Sequence, residues 1–451
     1  MGASRNRAIP SSAASASKLD ANGARSVLQG MGSIIGTVEE LYYDFHAHPE
    51  LSGNEVRTAG IVAERLRRSG YEVLTDIGGH GVVGVLRNGP GAVVAIRGDM
   101  DALPVEEKTD LKYASVARGV DESGKDVPVM HACGHDVHTA CLVGAAEVMA
   151  KNRQTWTGTL VVIAQPAEEN AAGARAMMGD GLYERTEVPD VVIGQHLAPA
   201  RAGAIIHRPG ALMAGAMNVR IEIIGAGGHG SQPQMTVDPI VMASSAVIRL
   251  QTIVSRELGP YVPAVVTVGS FHAGSRGNII PDNAKLELSV RTFDAKTGER
   301  VLAAIERIVK AEASGGRAPR EPVIEVTQSL PPLITDADAV RRVRAVHESL
   351  FDEVLEAPFA VTGSEDFGIF AERGDGPPIP LVFWLLGGVG AERWDRLSGP
   401  WIERMQAMPG NHSPLFYPDP QPTLRRGVEA MVSAAFAYLR EDPTAAERAD
   451  A

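Results

Sequence analysis

The sequence predicts an α/β domain with a central mixed sheet, interrupted by a smaller α+β insert. Three observations carry that prediction. Ala92-Val93-Val94-Ala95-Ile96, Leu160-Val161-Val162-Ile163-Ala164 and Val191-Val192-Ile193-Gly194 are continuous apolar runs rich in β-branched residues, the pattern of strands buried on both faces. Each run discharges into acidic or imidazole side chains, and a helical pattern over residues 137–150 separates the first two. From about Met217 the pattern changes to strict alternation, as in Val219-Arg220-Ile221-Glu222-Ile223, which belongs to half-exposed antiparallel strands. At 451 residues the chain exceeds the size at which one core stops growing, so two domains are expected.

The elements follow in order. Residues 1–26 are rich in Ala and Ser without an apolar signal core, and residues 1–30 are assigned to a disordered leader. Residues 34–45 read as a helix, followed by His46-Ala47-His48-Pro49-Glu50. Ser52 and Glu55 form a capping-box pattern that opens a second helix, with Val56, Val62 and Leu66 facing inward and Gly70 as its stop. The three buried strands then end in Arg97-Gly98-Asp99-Met100-Asp101, Gln165-Pro166-Ala167-Glu168-Glu169 and Gln195-His196. In open α/β sheets ligands bind beyond the carboxyl ends of the strands, so these polar residues are expected to converge. The first part of the large domain spans 31–214 and the insert 215–328. Within the insert, strands at 219–223, 285–291 and 323–326 and helices at 240–254 and 298–313 suit an antiparallel sheet with helices on one face. The large domain resumes over 329–440, with a helix at 337–350 and a strand at 380–386, and residues 441–451 form a frayed tail.

Composition narrows the function. With 43 Lys plus Arg against 55 Asp plus Glu the formal charge is −12, which disfavours nucleic acid and anionic membrane as partners. No stretch has the length of an apolar membrane span. A small molecule or peptide fits better. The two cysteines, Cys133 and Cys141, lie in a loop-to-helix segment where a structural disulfide is not expected, and reduced thiols suit a cytoplasmic address.

The chemistry concentrates in His131-Ala132-Cys133-Gly134-His135-Asp136-Val137-His138-Thr139-Ala140, which combines the three side-chain types that bind first-row transition metals. Gly134 lets Cys133 and His135 turn to one side, and Asp136 is placed to cap the helix or orient a histidine. A structural zinc knuckle is the competing reading, but no second Cys or His pair follows at tight spacing. Glu168 and Glu169 point different ways from a strand end, so one can ligate a metal while the other faces the reacting water; an ordinary solvated turn is the alternative. Asp99 and Asp101 share a face if extended, serving to orient a ligand histidine or to hold the turn. His196 is either a ligand or a hydrogen-bonded histidine. In the insert, the loop around Gly227-Gly228-His229 lacks the lysine of a phosphate-binding loop, and a glycine-flanked histidine suits approach to a substrate carbonyl. Asn278 and Arg291 add an amide and a guanidinium suited to an oxyanion or a carboxylate, with a surface-strand arginine as the alternative for Arg291.

Taken in order, His48-Pro49-Glu50-Leu51-Ser52, Arg97-Gly98-Asp99-Met100-Asp101-Ala102-Leu103-Pro104, the stretch from Met130 to His138, Pro166-Ala167-Glu168-Glu169, Gly194-Gln195-His196, Gly227-Gly228-His229, Asn278-Ile279-Ile280-Pro281-Asp282, Gly363-Ser364-Glu365-Asp366-Phe367 and Asn411-His412-Ser413-Pro414 resemble the M20 metallopeptidase superfamily, in its amidohydrolase branch. The resemblance implies a metal-dependent exopeptidase-like catalytic domain with two divalent ions, Mn, Zn or Co, held by Cys133, His135, Glu169, His196 and His412. It implies Glu168 as general base, Asp101 beside the metals, and an insert acting as a lid that mediates homodimerisation. His229 matches the lid histidine that reaches an active site, and Asn278 and Arg291 match substrate-holding positions. The implied activity is hydrolysis of the amide of an N-acyl amino acid or related conjugate through a metal-activated water. Dipeptidase, carboxypeptidase and N-carbamoyl-amino-acid hydrolase activities belong to the same superfamily, and a non-catalytic binding protein on this fold is the reading from another class. The chain departs from the branch at Pro233-Gln234 and Arg276-Gly277.

Overall fold

Burial explains where the central strands form. The computed structural model describes residues 23–374 and 376–439. Its first strands are β1 (Glu72–Ile77), β2 (Gly81–Asn88), β3 (Val93–Asp99), β4 (Gly158–Gln165), β5 (Val191–Arg201) and β6 (Ile205–His207). Every residue of β4 is buried, as is all of β3 after Val93. A strand covered on both faces must offer apolar side chains on both, and these runs do so. Three helices accompany them: α1 (Ile35–Ala47), α2 (Val56–Arg68) and α3 (His135–Lys151).

The chain then enters a second unit, which comprises Ala211–Ile334 and Phe359–Gly368. Its strands are β7 (Gly215–Ile224), β8 (Ala264–Ala273), β9 (Asn283–Thr292) and β10 (Val323–Leu330), with helices α4 (Pro239–Thr252) and α5 (Ala295–Gly315). They pair antiparallel in the order β8-β9-β7-β10. Burial in β9 alternates along the strand, and Leu286, Leu288 and Val290 pack with Met242, Leu250, Ile305 and Val309 of the two helices. One face of this sheet is thereby covered.

The remaining described residues form the first unit, completed by α6 (Ala337–Leu350), β11 (Val354–Glu356), β12 (Leu381–Val389) and α7 (Pro420–Phe436). Its eight-stranded sheet runs β1-β2-β4-β3-β5-β12-β6-β11. β3 is parallel to β4 and β5, and β5 to β12, whereas β1–β2, β2–β4 and β12–β6 are antiparallel, so the sheet is mixed as expected. Asp99 stands opposite Gln165 and Arg97 opposite Gly194. The carboxyl ends of β3, β4 and β5 therefore meet at one edge. α3 is buried almost throughout, packed with Val38, Tyr42, Leu424 and Val428 into the main core. Among the described residues no helix is long and apolar enough to cross a membrane.

Three local expectations change, the simplest at Val56, which opens α2 on its exposed side while Val62 and Leu66 face inward. Of the leader expected over 1–30, residues 1–22 lie outside the described residues, as does the tail 441–451. Residues 23–28, however, are helical, with Ala24 and Val27 fully buried in the core. Two apolar residues one turn apart outweigh the Ala- and Ser-rich composition there. The Ser52–Glu55 capping box does not form: α2 begins at Val56, and its first N–H groups are met by Glu50, whose carboxylate accepts from Arg57 at 2.9 Å and Thr58 at 2.8 Å. Ser52 and Glu55 turn instead toward the strand ends.

Candidate metal centre

The donor cluster is built by a sharp turn into α3. Gly134 precedes the helix in the left-handed region at φ 88°, and a Cβ there would meet Leu197 Cδ2 at 2.5 Å. Only glycine combines that conformation with that approach. The turn places Cys133 and His135 beside the ends of β4 and β5. Cys133 Sγ lies 3.5 Å from His196 Nε2, and His135 Nε2 lies 3.8 Å from Glu169 Oε1 and 4.0 Å from Glu168 Oε2. His412 Nε2 closes the group at 3.3 Å from Glu169 Oε2. Donor atoms lie within 4.8 Å of one another in each of three overlapping sets: Cys133, His135 and His196; Cys133, Glu169 and His412; His135, Glu168 and Glu169. All six side chains belong to the first unit.

Two features test whether this cluster suits a cation. His135 Nε2 and Glu169 Oε1 are buried and have no hydrogen-bond partner. Two facing ligand atoms that do not bond each other, in a site where orphaned polar atoms are costly, fit a shared metal ion. The second feature is charge. Burial alone would raise the Cys133 thiol, but His196 and His135 hold its pKa well below the thiol range, so it stands as a thiolate. Burial and that thiolate push Glu169 upward. His412, half-exposed, is raised to about 10 by its hydrogen bonds to Cys133 and Glu169. Thiol, carboxyl and imidazole groups that shift one another this strongly are packed as the donor types that a first-row divalent cation takes.

The surrounding residues fix the ligands. His135 Nδ1 donates to the Asp101 carbonyl at 2.9 Å and to its Oδ1 at 3.2 Å, which leaves the Nε2 lone pair for a metal. His196 Nδ1 donates to Leu197 O at 2.8 Å with the same effect. Asn411 Nδ2 donates to Cys133 O at 3.0 Å and Leu197 O at 3.1 Å, while His412 N–H bonds Ala132 O at 2.8 Å. The His412 loop is thereby tied to the Cys133 turn. His138 is not a ligand candidate: its Nδ1 binds Asp99 at 2.5 Å and its Nε2 accepts the Leu197 N–H at 2.7 Å. Asp99 in turn pairs with the fully buried Arg97 at 2.6 Å. Asp136 binds His46 at 2.6 Å, and His131 is buried outside the three donor sets.

The remaining sequence-derived candidates lie in the second unit. His229 is exposed and pairs across a short two-stranded bridge with Ile279, and Gly230 N–H bonds Asn278 O at 2.9 Å. His229 and Asn278 are therefore brought together. His229 Nδ1 is engaged by Ser231 Oγ at 2.8 Å. Arg291 is half-buried and donates to Ser364 Oγ, joining β9 to the Gly363-Ser364 turn. Sequence reasoning assigned no separate role to Asn411 and gave Ser52 a helix-capping role in place of its contact with Asp101. The only local signal for Asn411 is adjacency to His412, and Ser52 carried a misleading one.

Fold and cluster define a class of protein, an α/β unit whose parallel strand ends and nearby loops gather thiolate, imidazole and carboxylate donors. The sequence model of Peptidase family M20/M25/M40 matches residues 95–404, and the chain belongs to that family. It is 40% identical over 342 residues to the hippurate hydrolase of Campylobacter jejuni, covering 75% of this chain and 85% of that protein. It is 36% identical over 356 residues to the N-acetyl-L-cysteine deacetylase of Bacillus subtilis, covering 77% and 80%. The crystal structure of the Bacillus subtilis YXEP protein, a dinuclear metal binding peptidase from the M20 family, superposes with a TM-score of 0.71 at 28% identity, covering 90% of this chain and 98% of that one.

Proposed function

We propose that the chain is a metal-dependent amidohydrolase that cleaves the amide of N-acyl amino acids or related conjugates. The observation that carries this reading is the pair Glu168 and Glu169 just beyond β4, one of them facing the orphaned His135 Nε2 with an orphaned oxygen of its own. Cys133, His135, Glu169, His196 and His412 would hold two divalent ions. When bound, these ions supply Lewis acidity that acidifies a water and polarises the amide carbonyl. Glu168 accepts the proton of that water at its carboxylate and delivers it to the leaving nitrogen. Asp101 keeps His135 in the ligating tautomer. His229 donates to the developing oxyanion, Asn278 orients the substrate amide, and Arg291 pairs with the substrate carboxylate. The similarity to a hippurate hydrolase and an N-acetyl-L-cysteine deacetylase supports an N-acyl amino acid as substrate. The thiolate favours zinc, while imidazole and carboxylate also accept manganese and cobalt.

The second unit serves in this reading as a lid and a homodimer contact. Val241 and Ile248 of α4 and Phe271 of the edge strand β8 are exposed, apolar surface suited to a second copy. Sedimentation checks this: Val241→Glu with Ile248→Glu should convert a dimer to a monomer. The unpaired thiols Cys133 and Cys141 support a cytoplasmic address.

Glu168→Gln tests the mechanism. With metal content verified, kcat should fall by about 10² to 10⁴ while KM changes little. Near-normal turnover in the loaded variant removes Glu168 as the base. Assays of N-acyl amino acids and dipeptides with Mn, Co and Zn separately define the substrate.

A further inference from the structure

Glu55 is fully buried, yet it is no donor in the cluster, and although it occupies the N-cap position of α2 its side chain makes no capping hydrogen bond there. Its Oε1 accepts the N–H of Gly53 at 2.8 Å and, across 112 positions of sequence, the N–H of Ala167 at 2.8 Å. Its Oε2 is buried without a hydrogen-bond partner. Keeping a carboxyl dry for two backbone bonds is costly, so what it holds matters.

What it holds is the turn that aims the two glutamates. Ala167 occupies the left-handed region at φ 51°, a conformation that is strained for a non-glycine residue and persists only where its surroundings enforce it. Beyond it, Ala171 at φ 59° donates to Glu168 O at 2.7 Å, and Gly173 donates to Ala167 O at 2.9 Å. A Cβ on Gly173 would meet Pro166 O at 1.6 Å, so the turn is closed tightly on itself. The segment carrying Glu55 also braces the far side: Ser52 Oγ donates to Asp101 Oδ2 at 2.7 Å, and the same oxygen accepts the Glu169 N–H at 2.9 Å. One loop thus grips the N–H groups on either side of Glu168, directly at Ala167 and through Asp101 at Glu169.

We propose that Glu55 is a positioning residue, which by holding the Ala167 N–H sets the direction of both Glu168 and Glu169. Its catalytic consequence rests on the hydrolytic reading above, whereas its effect on the metal ligand Glu169 does not. Burial pushes the Glu55 carboxyl up to about 7, with the Asp101 charge adding to the rise, so an amide is a close substitute for it.

The test compares cobalt-loaded wild type, Glu55→Gln and Glu55→Ala by kcat, KM, the visible spectrum of the bound cobalt and melting temperature. Glu55→Ala should lower kcat by about 10- to 100-fold with KM within about twofold, and should alter the cobalt bands through Glu169. Glu55→Gln, which keeps a carbonyl oxygen for the Ala167 N–H, should stay within about threefold of wild-type kcat with the wild-type spectrum, whatever it costs in melting temperature. The proposal is overturned if Glu55→Ala melts lower but keeps kcat and spectrum, or if Glu55→Gln loses as much kcat as Glu55→Ala. Should Glu55→Ala fail to fold, Glu55→Asp, whose shorter side chain withdraws the oxygen from Ala167, takes its place with the same expectations. If wild type releases no amine from any N-acyl amino acid, the hydrolytic reading fails by itself, and the cobalt spectrum still decides the role of Glu55.

Discussion

Asp101 serves three neighbours at once, taking the imidazole N–H of His135, the hydroxyl of Ser52 and the backbone N–H of Glu169. One carboxylate therefore sets the tautomer of one ligand and the backbone of another, and its contacts with His135 and Ser52 hold its pKa down against burial. Asp101→Asn should weaken metal affinity by about 10- to 100-fold, read by competition with a chromophoric chelator. Unchanged affinity would show that the ligands are fixed without it. The clustering of Cys133, His135, Glu169 and His196 was legible because motif density and strand-end position are local signals. Ser52 and Glu55 were not. A serine three residues before a glutamate ahead of an apolar run is the same string whether the pair caps its own helix or reaches Asp101 and Ala167, and only the distant partners decide which.

Between elements, His46 of α1 makes a buried polar link: its ring bonds Asp136 of α3 at 2.6 Å and Glu107 at 3.1 Å. Burial opposes its charge, but the two carboxylates prevail and raise its pKa from 6.5 to about 9. A group raised in this way contributes its full stabilisation below about pH 6.5 and loses it as pH rises through 9. Urea unfolding should therefore show the wild type losing about 3 kcal/mol from this source between those limits, with His46→Gln lacking that part of the slope. Equal slopes would mean that the imidazole does not carry the charge. The link was invisible in the sequence because 90 positions separate its ends. Helices followed the same rule. Residues 337–350 were legible from an amphipathic pattern and match α6, whereas α7 was passed over: it is buried along most of its length, and its polar stripe is confined to Arg425, Arg426 and Glu429.

For the molecule as a whole, the cluster draws its candidate ligands from four separated stretches of the first unit, so a bound ion would cross-link regions that the backbone leaves far apart. Adding metal to chelated protein should slow amide exchange around 132–138, 166–173, 195–197 and 411–413 and leave β7, β9 and β10 as they were. At a metal concentration of about 1,000 times Kd, each site should add about 4 kcal/mol of stability. Uniform slowing over both units would contradict a centre confined to the first. The two-unit architecture was legible from the change of strand pattern near Met217. The return of Phe359–Gly368 to the second unit was not, because that stretch has no periodic pattern and is placed by pairing of Val361 with Met213 and by Ser364 with Arg291.

The strand order has a consequence for how the protein is made. β12 lies between β5 and β6 in the sheet, although some 170 residues of chain, the second unit included, are synthesised between β6 and β12. A nascent chain that has reached Leu330 already carries Cys133, His135, Glu168, Glu169 and His196, yet it lacks the strand that fills the middle of the sheet and the histidine that completes the donor set. Until β12 emerges, the facing edges of β5 and β6 are unpaired and prone to pair with other chains. The full candidate donor set is thereby complete only at the end of translation, and a chain stopped before Leu381 should be a substrate for chaperones and proteases, with no partial hydrolase left behind.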